Sequence, residues 1–92
     1  MKITFDPSKN ALNILERQLP FTRVAEFKWD SAVFKEDVRK NYPERRYIAI
    51  GYLDKRLHVL CFSETDLGIR VISFRKANKR EGLDYEQKIT AN

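Results

Sequence analysis

The chain has 92 residues, 42% hydrophobic and 34% charged, the profile of one soluble globular domain with a modest core and no room for a second catalytic domain. No apolar run approaches the roughly 18 residues of a membrane span, and the N-terminal MKITFDPSKN lacks the apolar stretch of a signal peptide, so a cytoplasmic location is expected. A single cysteine, Cys61, excludes an internal disulfide and a Cys-rich metal site, while the net charge of +5 points to a polyanionic partner.

In chain order, a short strand is expected around Lys2 to Phe5. Asp6 followed by Pro7 then starts a helix, with a side-chain N-cap and a proline at the first helical position. That helix should run to about Gln18, and the spacing of Leu12, Leu15 and Leu19 marks its buried face. Pro20 opens a second short helix, with Phe21, Val24, Ala25 and Phe27 as core candidates and an end near Trp29 and Asp30. Residues 31–44 are ambiguous: an extended piece through Ala32 to Phe34, then a polar loop. From Arg45 the chain becomes a meander. RRYIAIGYL (45–53) turns at Asp54 and Lys55 into RLHVLCF (56–62), and ETDLG (64–68) turns again into IRVISFRK. Asn78 with Glu81 three residues on forms a capping-box pattern for a last helix through Tyr85. The predicted fold is α+β, in the order β-α-α-β-β-β-α. It has a small antiparallel sheet of about four strands, one face covered by helices and the other partly open.

The charge is localised. Residues 70–81, RVISFRKANKRE, carry five basic side chains and one acid, and RKNYPERR at 39–46 carries four and one. The remainder holds nine basic and eleven acidic residues, so two basic segments sit on a near-neutral body. Strict alternation along the last strand puts Arg70, Ile72 and Phe74 on one face and Val71, Ser73 and Arg75 on the other. Lys79 and Arg80 follow in the first turn of the helix, where backbone N–H groups favour an anion.

The ordered set DPSKNALN (6–13), ERRYIAIG (44–51), RLHVLCF and RVISFRKANKRE with Tyr85 resembles the BrnT-type toxins of bacterial type II toxin–antitoxin systems, from about Phe5 to Tyr85. The resemblance implies a fold like that of RelE-type ribonucleases and metal-independent RNA cleavage that arrests translation, with no cofactor. The implied partners are RNA, as free or ribosome-associated mRNA, and a co-encoded ribbon-helix-helix antitoxin held in a hetero-oligomer, with no membrane and no metal. By position, Lys9 and Asn13 match the first helix, Glu44, Arg46 and Gly51 the start of the meander, and Ser73, Arg75, Ala77, Arg80, Glu81 and Tyr85 the last strand and helix. The chain departs from the family pattern in two places. Glu16-Arg17-Gln18 stands where many members read Lys-His-Gly, and Pro43 stands where a glycine is expected.

Cleavage through a 2′-hydroxyl needs a base for its proton, a counter-charge for the phosphorane oxygens, and an acid for the leaving 5′-oxygen. Arg46, Arg75 and Arg80 are the candidates for the counter-charge, because guanidinium matches phosphate bidentately. Each also reads as a solvated surface arginine. Glu44 is either a base or an ion-pair partner, Glu81 either a base or the capping-box partner, and Ser73 joins them on the strand. His58 is either a proton carrier or a structural histidine between apolar neighbours. Lys9, Arg17, Lys76, Lys79 and Tyr85 are the candidate RNA contacts. Lys9 otherwise solubilises its helix, and Tyr85 otherwise packs the last helix onto the sheet. Trp29 reads as core and Cys61 as an unreactive strand residue. The competing function is a nucleic-acid-binding or antitoxin-binding module of the same fold without catalysis.

Overall fold

A computed structural model describes residues 1–91. The elements are β1 (Lys2–Phe5), α1 (Pro7–Arg17), two 3₁₀ segments (Phe21–Glu26 and Trp29–Ser31), β2 (Val33–Glu36), β3 (Arg46–Leu53), β4 (Arg56–Glu64), β5 (Gly68–Lys76) and α2 (Lys79–Thr90). They form one five-stranded sheet in the order β1-β5-β4-β3-β2. The fold is α+β as expected, but the sheet has five strands and is mixed, because β1 runs parallel to β5. Gly68 makes that pairing possible: a Cβ there would lie 2.1 Å from the Lys2 carbonyl oxygen. The extended piece expected at Ala32 to Phe34 is the edge strand β2. The second expected helix, drawn to Trp29 and Asp30, is instead a 3₁₀ helix over Phe21–Glu26 followed by a short one over Trp29–Ser31.

Local signals decide the ends. The Asp6 side chain accepts from Ser8 N–H at 2.8 Å, and Asn78 and Glu81 complete both bonds of the capping box. Asp54 and Lys55 both take positive φ (50° and 68°), the backbone of a two-residue hairpin turn between β3 and β4. Phe21, Val24 and Phe27 of the first 3₁₀ segment and its end cover Ala49, Leu53, Leu60, Phe62, Ile69, Val71 and Phe74 of the sheet. Gly51 lies in this contact, where a Cβ would come 2.7 Å from the Phe27 ring.

Helix α1 docks differently from its leucine pattern. Leu19, just past its end, is buried, but Leu12 is 53% and Leu15 79% exposed. The buried residue of α1 is Asn13. β1 pairs with β5 no further than Val71, so the Phe74 carbonyl faces an edge without a strand. Asn13 Nδ2 donates to that carbonyl at 2.9 Å and to the Leu19 carbonyl at 2.8 Å, and Asn10 Oδ1 accepts from Phe21 N–H at 2.8 Å. Buried backbone groups must find partners, and here asparagines supply them where leucines were expected to pack.

The chain reverses after α1 through Gln18, in the left-handed region (φ 55°, ψ 36°), its N–H donating to the Ile14 carbonyl at 2.8 Å. Glycine is the residue that most readily takes this conformation. Gln18→Gly is expected to stabilise the fold by about 0.5 to 1 kcal/mol, since glycine meets no Cβ penalty there. Urea denaturation of the two chains would measure it, and a lower midpoint for the glycine variant would refute it.

A β-bulge corrects the alternation expected for the last strand. Phe62 faces Val71 but Cys61 faces Ser73, so Ile72 is the extra residue. Val71 and Phe74, which simple alternation separates, therefore both enter the core, at 2% and 0% exposure, while Ile72 is only half-buried. Arg70, Ser73 and Arg75 consequently share the opposite face. Helix α2 lies against that face at one end: the Tyr85 ring meets Tyr52 edge-to-face, and its hydroxyl donates to the Ser31 carbonyl at 2.8 Å. Helical segments thus stand on both sides of the sheet, and the open area is the part of the second face beyond α2.

Candidate nucleic-acid interface

Residues directly opposite each other in the ladder point to the same side of a sheet. The face away from the core therefore carries Arg46, Ile48, Ile50 and Tyr52 of β3, Leu57, Val59, Cys61 and Ser63 of β4, and Arg70, Ser73 and Arg75 of β5. Arg46 and Arg70 flank Ser63 in one row, and Cys61 sits beside Ser73 in another. Cys61 itself is buried, which pushes its thiol up and makes it a poor nucleophile. The Asp37 carboxylate pushes the same way, while the charges of Arg46, Arg39 and Lys9 oppose it.

At the α2 end, Arg75 is fixed by two parallel bonds to Glu81, Nη1 to Oε1 at 2.9 Å and Nη2 to Oε2 at 2.8 Å. Glu81 Oε1 also accepts from Asn78 N–H at 2.9 Å, so one carboxylate closes the helix cap and holds the arginine. The bonds from Arg75 hold the Glu81 carboxyl down at about 2. A depressed folded-state value means that this contribution is present above about pH 4.5 and is lost as pH falls toward 2. After discounting for the solvent reaching the arginine, about 1 to 2 kcal/mol of stability should disappear across that interval. Thermal unfolding of the native chain and Glu81→Gln from pH 6 to 2 would test this. The variant should be less stable at pH 6 and converge with the native chain near pH 2; parallel curves would refute the assignment.

At the other end, Arg46 Nε donates to Glu44 Oε1 at 2.8 Å, and its guanidinium lies 4.0 Å over the Tyr42 ring. The loop that delivers these partners is organised by Asp37, whose backbone N–H donates to the Arg46 carbonyl at 2.7 Å. Its carboxylate accepts from Arg39 Nε and Nη2, both at 2.8 Å, and from the Tyr42 hydroxyl at 3.3 Å. The Arg39 bonds hold this buried carboxyl well below the usual range. Sequence reasoning missed Asp37, Arg39 and Tyr42 individually. The signal was the 39–46 basic stretch, with an acid two residues before its first arginine.

The remaining expected residues divide. Lys9, Arg17 and Ser73 border one shallow groove between α1 and β5. Arg17 Nη1 also donates to Asn13 Oδ1 at 2.8 Å. Arg75, Arg17 and Lys76 line a larger cleft, and Lys79 edges a separate groove beside Tyr52 and Leu57. Arg80 is exposed in the first turn of α2. Tyr85, expected as an RNA contact or as packing, is 2% exposed and packs. His58 is also buried, with Nδ1 2.8 Å from the Arg56 carbonyl, and burial lowers its pKa.

Fold and face together define a small α+β protein with an arginine-bearing sheet surface, suited to the phosphates of a nucleic acid. Residues 5–81 match the family described as ribonuclease toxin, BrnT, of type II toxin–antitoxin system, and the chain belongs to that family. Neither a curated protein nor a solved structure matches it. Membership implies RNA as substrate and a cognate antitoxin as partner. No helix of the described residues is long and apolar enough to cross a membrane.

Proposed function

We propose that this protein cleaves RNA without a metal ion, arrests translation by doing so, and is neutralised by a ribbon-helix-helix antitoxin that covers the open sheet face. The observation that carries the reading is the placement of Arg46, Arg70, Ser73 and Arg75 on one face, with Arg46 and Arg75 pre-oriented by Glu44 and Glu81. In the reaction the 2′-oxygen attacks phosphorus, the P–O5′ bond breaks, and a 2′,3′-cyclic phosphate and a free 5′-hydroxyl result. Arg75 takes the non-bridging oxygens of the scissile phosphate and Arg46, at the other end of the face, those of a neighbouring phosphate, each exchanging its carboxylate partner for phosphate. Arg80, Lys9, Arg17, Lys76 and Lys79 hold flanking phosphates. Glu44 or Glu81, freed by that exchange, accepts the 2′-hydroxyl proton, the leaving 5′-oxygen takes its proton from water, and Ser73 hydrogen-bonds the phosphate.

Among the described residues no group of three or more His, Cys, Asp or Glu side chains is placed to hold a metal ion, which supports charge stabilisation by arginine. Purified protein is therefore expected to cleave single-stranded RNA equally in EDTA and in magnesium. Activity lost in EDTA and restored by a divalent ion would overturn the mechanism. One observation favours a binding module without catalysis: Arg46 and Arg75 lower the pKa of Glu44 and Glu81, respectively, making both weak bases. On that reading the protein retards RNA in a gel and leaves it intact.

A further inference from the structure

The larger cleft lies on the other side of β5 from the sheet surface just described. Its volume is about 700 Å³, and Arg17, Arg23, Arg56, His58, Arg75 and Lys76 line it. Lys76 and His58 are ladder partners whose side chains share the core face, at the end of the sheet where the core stops. The edge of β5 beyond Val71 has no strand neighbour, so the cleft and the Ser73–Arg75 segment meet around that edge.

The charge balance in the cleft is incomplete. Arg23 is neutralised by Glu26 and Asp54, and Arg75 by Glu81. Arg17 reaches only Glu16, at 3.9 Å. Arg56 and Lys76 have no carboxylate partner among the described residues. Arg56 is nevertheless held in place, its Nη2 donating to the Ala77 carbonyl at 3.1 Å. Cations converging on a cleft without counter-charges repel one another until an anion arrives.

His58 narrows the identity of that anion. Its Nδ1 faces a carbonyl, which can only accept, so Nδ1 carries the proton and Nε2 is left as an acceptor. Nε2 has no hydrogen-bond partner among the described residues, and His58, although only 4% exposed, borders the cleft. A bare inorganic anion would match the cations but offer that nitrogen no donor. A ribose-phosphate offers both: oxygens for the cations and a 2′-hydroxyl for the imidazole.

We propose that this cleft is a second RNA subsite, in which Arg17, Arg56 and Lys76 bind a phosphate flanking the scissile one and His58 Nε2 accepts from its ribose. Single-stranded RNA then passes around the open edge of β5 from the reacting phosphate to this anchor. The assignment rests on the ribonuclease reading above.

The test is steady-state cleavage of a short single-stranded RNA by the native chain, Arg56→Gln and Lys76→Gln over a series of salt concentrations. Lys76 is exposed and makes no side-chain hydrogen bond, so its variant keeps the assay informative if Arg56→Gln folds poorly. Each variant should raise KM by about 5- to 10-fold, lower kcat less, and flatten the dependence of log KM on log salt by about 0.7 per lost phosphate contact. A native chain that leaves RNA intact would sink the ribonuclease reading itself. A native chain that cleaves, with folded variants of unchanged KM and salt slope, would overturn the subsite alone. Variants normal on RNA but weakened in antitoxin binding would also overturn it and give the cleft to the protein partner.

Discussion

Arg75→Ala is expected to lower RNA cleavage by about 10²- to 10³-fold, the usual loss when one pre-oriented donor to a developing oxyanion is removed. Arg75 faces away from Phe74 and the core, so the fold should survive. It is not free of structural work, however, because its two bonds to Glu81 tie β5 to the first turn of α2. Losing this half-exposed pair should cost about 1 kcal/mol, while the bonds between Asn78 and Glu81 keep the helix capped. Arg75→Lys should recover only part of the activity, since an ammonium cannot form both parallel bonds. Cleavage rates with melting curves on the same preparations separate the two effects. A well-folded Arg75→Ala protein that still cleaves at the native rate would make this arginine a purely structural clasp.

The largest effect on stability from one small side chain is expected at Asn13. Asn13→Ala leaves the buried carbonyls of Leu19 and Phe74 without their donor and frees Arg17 from its anchor, a loss of about 2 to 4 kcal/mol. Leu15→Ala on the same helix should change stability by no more than about 0.5 kcal/mol, because that side chain is already in water. Urea midpoints would rank the pair. Equal losses, or a larger one at Leu15, would mean that α1 is held by an apolar face after all.

Much of the local architecture was readable because its causes are local. Asp6–Pro7, Asp54–Lys55 and Asn78 with Glu81 each determine an end or a turn through bonds and dihedrals within a few residues, and each stands where the sequence placed it. Family membership was readable from an ordered set of short patterns spread over most of the chain. What alternation and spacing could not reveal depends on neighbours remote in sequence. Whether Leu12 and Leu15 or Asn13 faces inward depends on an unpaired carbonyl sixty-one residues from the asparagine. β1 can lie beside β5 because Gly68 lets a distant backbone approach. The bulge at Ile72 is a mismatch between two strands, invisible in either one, yet it alone puts Arg70 on the same face as Arg75. Composition established that the chain is basic; tertiary packing decided which arginines share a face, which are paired with Glu44 and Glu81, and which have no carboxylate partner among the described residues.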